Sequence, residues 1–365
     1  MKRRVLTLVG VAIASEIIAI ITVLALFTYV LGIETRANAG DAYGISGYDN
    51  NDINTENADI NADIYNIEAD ISFCDNIVFV KETIKFDNTH NTNIGQIDRE
   101  GSQLFNSPGS TIFLYVPSVN VAKTTVRDIY AYMGYGYSYP LIISEWEFNG
   151  MMLKIRIFPD HVNRTGTPDD YPLEGQYRES VCLYIEYEII LNKDFGTISY
   201  SDNQILLTNF LITPAVYKDD KPVLVHGSSF GDPYIYEASN YHITFYTGGD
   251  FEIYAPGEKE VRGSTKEEAQ ELKTVFTARN LRDFPVVMLK KDTSNSNSVS
   301  NNIHVEKVNN TEIYFINSKA ASKYVKEAFS FAVKKIGPYP FKKLFVVRAS
   351  IPLKGMEFSN MIFIA

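Results

Sequence analysis

Histidines, a serine in a glycine-bounded turn, and cysteines are among the side chains in this sequence that could carry chemistry. The five histidines are His90, His161, His226, His242 and His304. No two are four residues apart, so there is no H-E-x-x-H helix, the spacing that turns two imidazoles toward one zinc ion. Each isolated histidine reads as an ordinary surface or core residue. Gly227-Ser228-Ser229-Phe230-Gly231 fits the G-x-S-x-G pattern of a nucleophile elbow, with Val223-Leu224-Val225 as the strand before it. An elbow exposes its serine only on a strand–turn–helix. Here Asp232-Pro233 and alternating aromatic residues follow, which predicts strand or loop and leaves Ser229 in a Gly/Ser loop. Cys74 and Cys182 lie far apart and form no C-x-x-C pair. A disulfide is open to a chain outside the cytoplasm, and two buried thiols are the plainer reading.

The elements around these residues can be read from period and composition. The 365 residues suffice for two domains. Tyrosine (24) and phenylalanine (22) are abundant and favour strands. A net charge of -10 argues against a nucleic-acid partner, which rewards a basic stripe. Lys2, Arg3 and Arg4 precede an apolar run from Val5 to Ile33 broken only by Glu16. Residues 1–33 are therefore expected to form a membrane anchor, with the basic cluster inside and the rest of the chain extracytoplasmic. Ala37-Asn38-Ala39 offers the rival reading of a cleaved signal segment. Residues 34–70 are acidic, Asn-rich and repetitive, and read as a flexible stalk.

From Ile71 to about Val287 apolar residues recur with a period of two, separated by Gly, Asn, Asp and Pro. Ile77–Val80, Ile112–Val116, Met152–Ile157, Cys182–Tyr187, Tyr241–Tyr246 and Phe251–Tyr254 are expected strands, together a large antiparallel β-domain. Lys291–Asn302 reads as a surface loop and Thr311–Ile316 as a strand. Asn317-Ser318 offers an N-cap for a helix running to about Ile336, and Gly337-Pro338 ends it. Two more strands are expected at Leu344–Val347 and Met361–Ile364, flanking the Lys354-Gly355-Met356-Glu357-Phe358 segment.

Several segments resemble one family. Phe230-Gly231-Asp232-Pro233-Tyr234 and the aromatic-rich residues that follow it to Tyr241 resemble the turn-and-strand signature of the amino-terminal β-saddle in zinc aminopeptidases of the aminopeptidase N type. Asn209–Tyr217 is similar to the stretch before that signature, and Ala278–Phe284 to the handover into the catalytic domain. Gly337-Pro338-Tyr339-Pro340 after a helix, then a strand, then Gly355-Met356-Glu357-Phe358 and Met361–Ile364, resembles the run leading into the family's Gly-Met-Glu-aromatic exopeptidase motif. The order spans about residues 200 to 365, with looser similarity back to about 71. Phe358-Ser359 departs from the Asn or Tyr-Pro that often follows that motif.

The resemblance implies an amino-terminal β-saddle or sandwich domain over 71–287 and the α+β start of a thermolysin-like catalytic domain over 288–365. It implies substrate binding by Gly355, Met356 and Glu357. A carboxylate suits a peptide's α-ammonium group through a charge-assisted hydrogen bond, and glycine beside it lets an extended peptide approach the strand edge. The family's zinc motif, third glutamate ligand and transition-state tyrosine fall beyond Ala365. The expectation is thus the amino-terminal portion of a membrane-anchored zinc aminopeptidase, binding no zinc itself and inactive alone unless a separate chain carries the zinc half. The alternative is a non-catalytic, membrane-tethered β-domain for binding or assembly.

Overall fold

The computed structural model describes residues 65–86, 110–117, 123–133, 139–159, 181–218, 221–223, 236–247, 250–263, 272–291, 303–351 and 354–365. The expected anchor and the stalk up to residue 64 lie outside these. Among the described residues no helix is long and apolar enough to cross a membrane. The chain is mainly β and divides into two compact units.

The first unit opens with the hairpin β1 (Tyr65–Cys74) and β2 (Ile77–Phe86). It continues through β3 (Ser110–Tyr115), β4 (Lys123–Met133), β5 (Tyr139–Phe148), β6 (Met152–Pro159) and β7 (Val181–Ile190). Short strands follow: β8 (Asn192–Lys193), β9 (Ser199–Tyr200), β10 (Gln204–Leu207), β11 (Thr213–Pro214), β12 (Tyr217–Lys218) and β13 (Lys221–Pro222). The unit ends with β14 (Ser239–Tyr246), β15 (Phe251–Tyr254), β16 (Glu258–Arg262), β17 (Lys273–Leu281) and β18 (Val286–Lys290). One sheet of 11 strands runs β11-β3-β6-β5-β4-β7-β2-β1-β14-β17-β16, and a second of five runs β15-β18-β10-β9-β8. Strands β12 and β13 form a separate pair.

Alternation explains the large sheet. In β2 Val78, Val80, Ile84 and Phe86 are buried while Phe79 and Lys81 are exposed, the period of a pleated strand with one wet face. Strand β1 begins at Tyr65, so residues 65–70, given to the stalk on their polar composition, run in the sheet instead. Tyr65, Ile67 and Ala69 supply the inward register that Asn66 and Glu68 between them disguise. The expectation of antiparallel pairing meets one exception in this sheet: β1 pairs with β14 in parallel, Tyr65 opposite Ser239 and Ile71 opposite Phe245.

The second unit comprises β19 (Ile303–Val308), β20 (Thr311–Ile316), α1 (Ser322–Ile336), β21 (Lys343–Arg348), β22 (Gly355–Phe358) and β23 (Met361–Ile364). Its five-stranded sheet runs β19-β20-β21-β23-β22. β20 and β21 are parallel, which requires a crossover, and α1 provides it. Val325, Ala328, Phe329 and Ala332 of the helix pack on Ile313, Phe315, Leu344, Val346 and Ile362 of the sheet. The helix start differs from expectation. Ser318 donates its hydroxyl to Val346 O at 2.8 Å rather than capping, a short 3-10 turn spans Lys319–Ala321, and Ala321 precedes α1 with no side-chain cap. Ser318 is buried, so a β21 carbonyl was nearer than the first-turn amides. Gly337 ends the helix as expected, with φ 135 and its N–H donating to Val333 O.

Candidate functional site

The segment Gly355–Phe358 forms β22, the last strand of its sheet. It pairs antiparallel with β23 in the register Gly355 to Ile364, Met356 to Phe363, Glu357 to Ile362 and Phe358 to Met361. Ala365 N donates to Lys354 O at 3.2 Å and extends this ladder by a rung. Ser359 and Asn360 make the connecting turn, with Asn360 at φ 61, a left-handed conformation that asparagine tolerates. Among the described residues no strand pairs with the other side of β22.

Alternation assigns the side chains of this strand. Met356 and Phe358 are buried, with the Phe358 ring edge-on to Phe363 at 5.2 Å. Glu357, opposite Ile362, shares the face on which α1 lies, and it is exposed. Gly355 is half-buried on that same face. Of the three residues expected to meet a substrate, Met356 therefore seats the strand, whereas Glu357 carries the accessible charge. The outer edge of this last strand and the carboxylate together can take up an extended segment that ends in a cation.

The other sequence candidates divide clearly. His242 and His304 are described; His90, His161, His226 and the Ser229 elbow lie outside the described residues. His304 contacts Glu306 at 2.9 Å, and His242 contacts Thr277 Oγ1 at 3.2 Å. Cys74 is exposed and Cys182 buried, and neither is in a disulfide. Among the described residues no three His, Cys, Asp or Glu side chains converge as a metal ion requires. The donors among the described residues therefore do not fit a catalytic zinc.

Three segments singled out in the sequence meet in the first unit. Asn209, Leu211, Thr213, Tyr236, Tyr241, Arg282 and Asp283 line one small cavity. Tyr241 donates its hydroxyl to Arg282 O at 3.1 Å and lies 5.3 Å from the Phe284 ring. Burial raises the Tyr241 phenol, helped by the Asp283 charge. Asn280, at φ 54, donates its N–H to Asn240 Oδ1 at 3.2 Å.

One buried group escaped the sequence reading. Glu82 occupies an inward position of β2 between Val80 and Ile84 and is fully buried. Tyr187 Oη lies 2.6 Å from Glu82 Oε2 and 3.1 Å from Phe210 O. Ile212 N–H donates to Glu82 Oε2 at 3.0 Å. Glu82 Oε1 is buried without a hydrogen-bond partner. Desolvation pushes the Glu82 carboxyl up to about 8 against the opposing effect of the Tyr187 and Ile212 hydrogen bonds. Burial and the Glu82 charge together raise the Tyr187 phenol well above its ordinary value. The signal was available: a lone acid on the apolar register of an alternating strand is worth a question.

No protein-family profile matches this chain, and no curated protein matches it either.

Proposed function

We propose that this chain captures the free amino terminus of an extended peptide at Glu357, as the amino-terminal portion of a membrane-anchored aminopeptidase of the zinc-dependent aminopeptidase N type. The observation that carries the reading is an exposed carboxylate on an open edge strand, held between two buried residues. Gly355 supports it by leaving room beside that carboxylate. The meeting of Asn209–Thr213, Tyr236–Tyr241 and Arg282–Phe284 around one cavity supports it further, because these are the segments that resemble the family. On this reading the 11-stranded sheet belongs to the amino-terminal β domain, and β19 to β23 with α1 begin a thermolysin-like domain.

In this role β22 aligns the peptide backbone through main-chain hydrogen bonds while Glu357 accepts from the α-ammonium group. Buried Met356 and Phe358 fix the strand so that the carboxylate is held before the peptide arrives. A zinc site supplied elsewhere would polarise the scissile carbonyl and activate water. The role of this chain is to position the peptide's first residue.

The test is an NMR titration of the chain with a short peptide, either free or acetylated at its amino terminus. The free peptide is expected to shift the β22 amides and the acetylated one to leave them unmoved. Glu357→Gln is expected to weaken binding of the free peptide by about tenfold, the loss of one charge-assisted bond. Equal shifts from both peptides would discard the amino-terminus reading and leave a tethered binding domain.

A further inference from the structure

The buried acid in the first unit has no part in peptide capture, yet its hydrogen bonds raise a question of proton supply. Tyr187 has one hydroxyl proton and two oxygens within reach, Glu82 Oε2 at 2.6 Å and Phe210 O at 3.1 Å. Both contacts are full hydrogen bonds at once when Glu82 carries a proton of its own; without it the single Tyr187 proton is shared between them. Then Oε2–H donates to Tyr187 Oη, Tyr187 donates to Phe210 O, and Ile212 N–H donates to Oε2. The bare Oε1 agrees, since an ionised carboxylate would bury half its charge with no donor.

We propose that Glu82 is a proton-operated clasp on the strap of residues 209–213: protonated it holds the strap, and on losing its proton to solvent it lets go. Ionisation draws the Tyr187 proton to Glu82, strips the bond from Phe210 O and leaves an anion in an apolar slot. Ala69 of β1 and Ile185 of β7 flank Glu82 in the sheet, and neither is ionisable. The ionisable groups facing it are Tyr187 of β7 and Tyr241 of β14, with Asp283 acting on Tyr241. Among the described residues no lysine, arginine or histidine pairs with it.

The strap leads into β11, whose two residues cover β3: Thr213 lies opposite Tyr115 and Pro214 opposite Leu114. Losing the tie at Phe210 and turning the anion out toward water loosens that cover and bares the β3 edge. Past β11 the chain stays tied, because Val216 N–H donates to Tyr115 Oη and Tyr115 donates to Val223 O. Burial pushes the Tyr115 phenol up to about 12, so this second tie persists while the clasp opens. The opening is local.

The sign follows from the raised carboxyl. Its stabilisation is complete below about 4.5 and is lost as pH climbs through about 8. The full-length chain is followed by thermal unfolding and by amide exchange between pH 5 and pH 9. Wild type is expected to lose melting temperature across that range, while Glu82→Gln, which keeps a neutral group of the same shape, stays level and melts higher at pH 8. Exchange at Ile212 is expected to accelerate from about pH 5 to about pH 8 by about tenfold per pH unit beyond the base-catalysed trend and to level off above that, in wild type alone. If the variant does not fold, the infrared carbonyl band of a protonated buried carboxyl decides within wild type, since it must fade between pH 7 and pH 9. Absence of that band at pH 7, or parallel melting curves for the two proteins, overturns the clasp.

Discussion

Two glutamates mark the extremes of what a carboxyl experiences in this chain. Glu306, on β19, accepts from Lys326 of α1 and contacts His304 at 2.9 Å, and these partners, Lys326 foremost, hold its carboxyl at about 2. Glu82 lies at the other end, raised by burial. Their contributions to stability run in opposite directions. That of Glu306 is present above about 4.5 and lost as pH falls toward 2, whereas that of Glu82 fades as pH rises. Glu306→Gln is therefore expected to flatten the acid limb of stability between pH 4 and pH 2 and leave the alkaline limb unchanged, as urea titrations across that range would register. Gly257 is a residue of another kind. Its φ of +90 suits glycine, and a Cβ there would lie 2.3 Å from Thr277 O of β17. Gly257→Ala is expected to cost about 2–4 kcal/mol, from strain and from displaced backbone. Chemical denaturation measures this, and a change under about 0.5 kcal/mol would contradict the geometry.

At the scale of elements, much was legible and the reasons are specific. Thr311–Ile316 and Met361–Ile364 match β20 and β23 end to end, because an apolar run there is bounded by asparagines that take φ 56 at Asn309, φ 55 at Asn317 and φ 61 at Asn360. The end of α1 was equally clear from Gly337. Its beginning was not, since whether Ser318 caps a helix or reaches across to Val346 depends on what tertiary structure brings near. The same limit hid the burial of Glu82: alternation shows which way a side chain points, but not that Phe210 and Ile212 wait on that side. The edge position of Glu357 was also beyond local pattern, as strand order is a property of the whole sheet. For α1 the decisive element is Phe329, fully buried and edge-on to Tyr339 at 5.3 Å. Phe329→Ala is expected to destabilise this unit by about 3–5 kcal/mol. Amide exchange along β21 should report the loss, and unaltered protection there would show that the helix is dispensable to the sheet.

For the molecule as a whole, the pairing of β1 with β14 has a consequence in time. Asn240 Nδ2 donates to Asn66 Oδ1 at 3.1 Å across 174 positions of sequence. Contacts so remote must close a long loop before any gain is felt, which slows folding. Refolding from urea is expected to take seconds or longer, and a stopped-flow trace complete in milliseconds would refute this. On the ribosome the order is fixed: Tyr65 emerges first, and the neighbour that completes its hydrogen bonds is not yet made. One flank of the nascent β1–β2 hairpin must therefore wait, sticky and incomplete, while most of the first unit is translated. A chaperone that shields that flank would have a defined moment to leave, the arrival of Tyr246.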